Sequence, residues 1–430
     1  MMARACSLTY HDVPTMAVVT DTCTGIIAYN VRLLKRIIQT RNSEIILTGY
    51  RALNSLYGGD EVYSSNRELG GPHIMGPNGV SPHIAGDESH ACKSVLSWLA
   101  GVPVKKGDPA PELPTEDPID RDVSEAILGP DGVIEPPRSE AERPVPYDSM
   151  SLVRAVFDGN SVEEAMEEWG GTVHVGRAAI GGYPVGFITV ETRTVEKVVP
   201  ADPSVEGSAP VEINQFGQVW YSDSAFKTSQ WIQFMKYERK PIVIMPNWRG
   251  FAGGKTDLYD EIVKFGAMIV DELVDFDLPV ILYIPPYAEL RGGAWVVIDP
   301  QINPGRITLL VDEHATGSIL EPSGMESVPL IQRQIKRDMI QQDPILSKLY
   351  EDRTKYATQM DRVKDIDKRI EEREAEIWPE YVRKWTKIFR LHNTAERMGA
   401  LGIANEVVST SKAREAIHRN LMKGLEKADR

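Results

Sequence analysis

Apolar and polar positions alternate in two rhythms along this chain. Met16-Ala17-Val18-Val19-Thr20 is a short unbroken apolar run, as a strand buried on both faces requires. Gly25 to Ile38 predicts a helix with Ile26, Tyr29, Leu33, Leu34 and Ile37 on one side, and Glu44–Thr48 predicts the next strand. The same strand–helix rhythm runs on to Val95-Leu96-Ser97-Trp98. It resumes further along, with strands expected at Val173–Val175, Val185–Val190, Ile242–Met245, Val280–Ile284 and Trp295–Ile298, and with an amphipathic helix over Tyr259–Val274. From about Ile331 onward strands vanish. Lys348–Glu376 carries Tyr356, Met360, Val363 and Ile370 at helical spacing, Pro379 is expected to end that helix, and Val382, Trp385 and Phe389 stripe the next.

Between the two rhythmic stretches the composition changes. Ten of the 29 prolines fall within 101–150, interspersed with acidic residues and few large apolar ones. Such a segment cannot bury enough surface to fold alone and reads as an extended linker draped over a domain. The predicted organisation is therefore a first α/β unit over 1–102, a proline-rich acidic linker over 103–148, a second α/β unit over 149–330, and a helical extension over 331–430 that packs on the second unit.

Length and charge narrow the classes of function. At 430 residues the chain exceeds one core of roughly 150 residues. With 48 Lys and Arg against 62 Asp and Glu, its formal charge of −14 argues against nucleic acid or an anionic membrane as the main partner. No apolar run reaches the roughly 18 residues of a membrane span. Met1 to His11 lacks the charged-then-apolar pattern of a secretory signal. The cytosol is the expected compartment, with a plastid the alternative if a targeting segment precedes this stretch. Cys6, Cys23 and Cys92 have no metal-site spacing and fit a reducing environment. His73, His83 and His90 are ten and seven residues apart, which is poor spacing for a metal, so no metal site is expected.

Catalytic motifs are scarce: there is no GxSxG, P-loop, HExxH, or GxGxxG after a strand. What remains is a pair of glycine turns, each carrying an arginine after a strand. Asn247-Trp248-Arg249-Gly250-Phe251-Ala252-Gly253-Gly254 follows Ile242–Met245, and Glu289-Leu290-Arg291-Gly292-Gly293-Ala294-Trp295 follows Val280–Ile284. Glycines let backbone N–H groups approach a ligand closely, and paired amides at such a turn stabilise an oxyanion. The alternative is a pair of plain tight turns.

These turns belong to a longer ordered series. Val190–Glu196, Pro200–Pro203, Gly217–Trp220, Ser224–Thr228, the two glycine turns and Leu320-Glu321-Pro322 occur in that order, preceded by Ser7–Tyr29, Ile45–Gly49, Glu61–Asn66, Leu69–Gly71 and Asn78–Val80. Together they closely resemble the C-terminal part of the carboxyltransferase domain of eukaryotic multidomain acetyl-CoA carboxylase. The resemblance implies an α/β, crotonase-like (ClpP/crotonase) superhelix of ββα turns in two related subdomains, with active sites at the interface of a head-to-tail homodimer. It further implies transfer of a carboxyl group from carboxybiotin to acetyl-CoA, giving malonyl-CoA for fatty acid biosynthesis. The biotin ureido nitrogen would itself take the proton, which accounts for the lack of a side-chain base. Biotin would arrive on a carrier domain outside this chain, and the biotin carboxylase and carrier domains of a parent polypeptide would be its partners.

By position, the oxyanion amides of the resemblance fall on Ile26, Gly293 and Glu321, with Gly292 beside them. Arg249 matches an arginine facing the substrate carboxylate, Phe251 matches an aromatic lining the same cleft, and Tyr29 and Gly292 join it as expected cofactor-binding residues. Departures accompany these matches. Thr22 stands where the family has a second arginine, and Ile27 replaces a glycine. Pro329 and Ile331 stand where a Lys and an Arg grip CoA phosphates; Arg333, Lys336 and Arg337 lie a turn further on as substitutes. The family also has over a hundred residues ahead of the first strand here, so this chain is expected to be part of a larger polypeptide and inactive alone. The substitutions keep two alternatives in view: a non-catalytic assembly module that has lost CoA binding, and a carboxyltransferase for another acyl-CoA.

Overall fold

The computed structural model describes residues 4, 13, 15–34, 36–59, 61–105, 108, 110–139, 142, 144–320 and 324–428. Its repeating unit is a long strand, a two- or three-residue strand turned out of the first sheet, and a helix. In the first unit β1 (Met16–Val19), β2 (Cys23–Thr24) and α1 (Ile26–Leu33) make one turn; β3 (Arg36–Thr40), β4 (Ile45–Ile46) and α2 (Tyr50–Leu56) make the next; β5 (His83–Ala85) and α3 (Glu88–Ala100) follow. The long strands form one parallel sheet, β1-β3-β5, with Val18 opposite Ile38, while β2 and β4 pair separately.

The expected helix over Gly25–Ile38 is corrected here. It stops at Leu33, and Ile37 and Ile38 belong to β3, where both are fully buried. Two adjacent β-branched residues between two covered sheet faces favour a strand.

The second unit repeats the turn on a larger scale. After α4 (Ser149–Val156), β6 (Glu163–Ala165), β7 (Val173–Ile180) and β8 (Tyr183–Val190) form an antiparallel meander, and a hairpin of β9 (Val195–Val199) and β10 (Val211–Gln215) projects from it. Then come β11 (Val219–Trp220) and α5 (Ser222–Glu238); β12 (Ile242–Met245), β13 (Gly250–Phe251) and α6 (Ile262–Val274); β14 (Val280–Ile284), β15 (Glu289–Arg291) and α7 (Gly292–Val297); and β16 (Ile307–Asp312) with β17 (Thr316–Ser318). With β18 (Glu406–Val408), the seven-stranded sheet runs β18-β16-β14-β12-β8-β7-β6, so each parallel crossover steps one place in the same direction.

Strand periodicity divides the core. Val243, Met245, Ile281, Tyr283 and Leu310 face one side, and Ile242, Ile244, Leu282, Ile284 and Leu309 face the other, packed with α5 and α6. Strands covered on both faces must be apolar throughout, as these are. The proline-rich segment covers the first face with Val123, Ile127, Ile134 and Tyr147. Arg414, fully buried, ties it down by donating to the carbonyls of Pro118 and Val156 and pairing with Asp158.

Three further expectations change. Trp295–Ile298 is not a strand: Ala294 is buried and Val296 exposed, as on the helix α7. Pro379 does not end a helix. After α8 (Pro329–Gln342) and α9 (Pro344–Lys355), α10 runs through it from Met360 to His392, held by a stripe of Ile366, Ile370, Ile377 and Val382 against the other two. Finally, strands do not vanish after Ile331: β18 (Glu406–Val408) extends the central sheet beside β16, and α11 (Ala413–Ala428) returns to its core. Three residues are too few to show a period.

The two units meet around a buried carboxylate. Glu238 accepts from Arg36 at 3.2 Å and Arg177 at 3.0 Å and pairs with Lys240 at 3.3 Å, while the Arg177 guanidinium lies 4.5 Å from the Trp98 ring centre. Burial opposes ionisation of Glu238, but these cations hold its carboxyl well below the ordinary range. Among the described residues no helix is long and apolar enough to cross a membrane.

Candidate active site

Where β8, β12, β14 and β16 end, the chain turns into the short strands, and backbone bonds stitch these turns together. The Arg249 N–H donates to Gln218 O at 2.8 Å, Arg291 N–H to Trp248 O at 2.9 Å, and Gly292 N–H to Ile319 O at 3.0 Å. Asn247 locks the same layer from within. Its Oδ1 accepts from the Gln218 amide at 2.7 Å and from the Glu289 N–H at 3.1 Å. Behind it, burial pushes the Tyr147 phenol above its ordinary range.

This layer brings Arg249, Phe251, Gly292 and Gly293 into one cluster. Gly292 has φ +56°, a left-handed conformation that starts α7, and the nearest atom to a Cβ placed there is the Arg249 carbonyl oxygen at 3.5 Å. A Cβ on Gly293 would lie 3.3 Å from the Phe251 ring. Phe251 stacks on Trp220 with ring centres 4.9 Å apart, and Trp220 on Trp248 at 3.8 Å. The Arg249 side chain is partly exposed and its Nε lies 3.4 Å from Glu289 Oε1.

The other expected residues lie elsewhere. Ile26 and Tyr29 are on α1 in the first unit, 75% and 62% exposed. Glu321 is outside the described residues. Arg333, Lys336 and Arg337 are exposed on α8, and Lys336 pairs with Glu374 at 2.9 Å. The departures have structural uses: Thr22 donates to Glu44 at 2.6 Å, Pro329 occupies the first turn of α8, and Ile331 is buried in the three-helix core.

Sequence reading noted Arg291 as the arginine of the second glycine turn but gave it no role, and it missed Glu289 and Glu191. Burial alone would raise the Glu191 carboxyl, yet hydrogen bonds from His174 and from the Arg193 side chain and N–H bring it down to about 2. His174 bridges Glu164 and Glu191 at 2.6 and 3.2 Å, and despite desolvation these carboxylates raise its pKa. The signal for Glu289 was a charged residue two places before Arg291 on one short strand; its nearness to Arg249, 40 positions away, shows only in three dimensions.

Two sheets of stacked ββα turns, each sheet with one turn whose helix starts at a positive-φ glycine (Gly25 and Gly292), define a crotonase-like α/β protein. Residues 1–422 match the carboxyl transferase domain, and the chain belongs to that family. It is 37% identical over 437 aligned residues to proteins named acetyl-CoA carboxylase, mitochondrial, from Saccharomyces cerevisiae (strains YJM789 and JAY291), with 99% of this chain covered. The chain spans 19% of the length of those relatives. A crystal structure of transcarboxylase 12S with methylmalonyl-coenzyme A and methylmalonic acid bound superposes with a TM-score of 0.71 at 17% identity, over 99% of this chain and 67% of that one.

Proposed function

We propose that this chain is the carboxyltransferase part of a biotin-dependent acetyl-CoA carboxylase and transfers a carboxyl group to acetyl-CoA, giving malonyl-CoA for fatty acid synthesis. The observation that carries the reading is the joining of Arg249, Phe251, Gly292 and Gly293 in one layer of a chain 37% identical to such enzymes over nearly its full length.

Carboxyl transfer to a thioester methyl needs an enolate stabilised at its oxygen, which backbone N–H groups do well where water is excluded. Gly293 bears no Cβ to fill the space before Phe251, so its amide suits an oxygen of the incoming group. Ile26, beyond its own left-handed glycine, is assigned the same task in the first unit. Arg249 offers a permanently charged planar fork to the carboxylate, and the Phe251–Trp220 stack walls the cleft. Biotin, on a carrier outside this chain, supplies the carboxyl group. Arg333, Lys336 and Arg337 are assigned to the CoA phosphates because they are exposed on the helix that Pro329 opens.

Ile26 and Tyr29 belong to the first unit and Arg249 to the second, which favours a head-to-tail homodimer pairing one chain's first unit with the other's second. The exposed Ile26, Ile27, Tyr29 and Leu33 supply an apolar face for it.

One observation favours a second reading, a non-catalytic module. Positions expected to hold CoA phosphates are spent on a helix start and a buried isoleucine. Replacing the corresponding region of the yeast enzyme with this chain separates the two. The chimaera is expected to form malonyl-CoA, and Arg249→Ala to lower kcat/KM by roughly ten- to a thousand-fold. A chimaera whose biotin is still carboxylated but which forms no malonyl-CoA supports the non-catalytic reading.

A further inference from the structure

Gly266 has no conformational reason to be a glycine. It lies inside α6 without a positive φ, where alanine is the more favourable residue. Ile262, Gly266, Ile269 and Leu273 form the buried stripe of that helix, and the ring of Phe251 enters at the one position of the stripe that has no side chain. A Cβ on Gly266 would lie 3.0 Å from Phe251 Cε1 and 3.2 Å from Cζ. The opposite edge of the ring faces Gly293, whose Cβ would lie 3.3 Å from Cδ2. Phe251 thus fills the gap between α6 and α7 with a bare backbone at either edge.

The ring has one direction in which to yield. Its face stacks on Trp220, which stacks in turn on the fully buried Trp248. Helix α6 is held against α5 by the Phe265–Phe226 stack, with ring centres 4.9 Å apart, and by the Gln233 amide donating to Glu272 at 3.1 Å. Only the partly exposed side of Phe251, over the exposed Gly293, is open.

We propose that Gly266 is a positioning residue for selection of the acyl group: by admitting the inner edge of Phe251, it keeps that ring back from Gly293 and sets the width of the cleft there. This rests on the reading, in the preceding section, of the cleft walled by Phe251 as the one that receives the acyl group of a CoA thioester. Carbon atoms in contact settle at about 3.5–4.0 Å, so a methyl on Gly266 pushes the ring roughly 0.5 Å towards Gly293. The longer of two acyl groups meets the displaced ring first.

Acetyl-CoA and propionyl-CoA differ by one methyl, so the ratio of their affinities reads cleft width, and a general loss of binding cancels from it. The test is calorimetric titration of the full 430-residue chain with each ester, for the parent, Gly266→Ala, Phe251→Leu and the double variant, each checked for a cooperative thermal transition. Gly266→Ala is expected to weaken propionyl-CoA about tenfold more than acetyl-CoA, within the range one carbon commands in a fitted pocket. In the double variant the shorter side chain leaves the new methyl nothing to push, and the ratio should return to within about twofold of Phe251→Leu alone. Should Gly266→Ala not fold, the double variant is expected to fold and Phe251→Leu to shift the ratio at least threefold towards propionyl-CoA; failure of either overturns the proposal. A folded Gly266→Ala chain that weakens both esters equally, or whose selective loss persists in the double variant, overturns it and leaves the carboxyltransferase reading standing. A parent chain that binds neither ester overturns both.

Discussion

Gly25 and Gly292 stand at the same step of two separate ββα turns. Gly25, at φ +68°, donates its N–H to Ile46 O at 2.9 Å; Gly292, at φ +56°, donates its own to Ile319 O at 3.0 Å. In both places the acceptor lies at or just past the short strand of the following turn, and the next amide, Ile26 or Gly293, is left at a helix start. The two units thus build one device twice.

The device has a conformational cost that side chains reveal. An L-residue in the left-handed region is disfavoured by roughly 1–2 kcal/mol. Gly292→Ala and Gly25→Ala should each lose about that much stability in denaturant titrations, although neither Cβ meets an atom closer than 3.5 Å. Gly293→Ala, with no positive φ, should stay within about 0.5 kcal/mol of the parent. Equal losses at Gly292 and Gly293 would show that crowding, not backbone conformation, governs the turn.

Stability should fall in acid through Glu191. Its carboxyl titrates at about 2 in the folded chain against an ordinary 4.5, so its contribution is complete above about pH 4.5 and disappears as pH falls towards 2. Glu191→Gln removes that contribution at every pH. Thermal midpoints of parent and variant should therefore be furthest apart near pH 6 and converge between pH 4.5 and 2. Parallel curves would remove Glu191 as the source.

Association follows from the apolar face of α1. Ile26, Ile27, Tyr29 and Leu33 are all exposed on one short helix, a density that monomers seldom leave in water. Sedimentation velocity at micromolar concentration should show a dimer, and Ile26→Glu with Tyr29→Glu should shift it to monomer. A soluble monomer of the unaltered chain would contradict the head-to-tail arrangement.

Legibility in the sequence tracked burial. Ile242–Met245 and Val280–Ile284 were readable to the residue because both sheet faces are covered and every position must be apolar. The two-residue strands Gly250–Phe251 and Cys23–Thr24 carry no period, so the second layer of each turn was not visible. Ile37 and Trp295 misled because a short apolar run has no period of its own; their neighbours in space decide between helix and strand. Arg249 and the paired glycines stood out by composition. Glu289 and Asn247 did not, since each acts on a residue roughly 30–40 positions away, through a pairing that exists only once adjacent strands lie side by side.

Binding of malonyl-CoA to the purified chain tests the carboxyltransferase assignment most directly, because turnover by the chain alone is not required of it. Isothermal titration should give saturable binding with Kd roughly between 1 µM and 1 mM, the span of ordinary enzyme–substrate affinities, and Arg249→Ala should weaken it at least tenfold. A folded chain that evolves no heat with malonyl-CoA, or that binds it equally well without Arg249, would contradict the assignment.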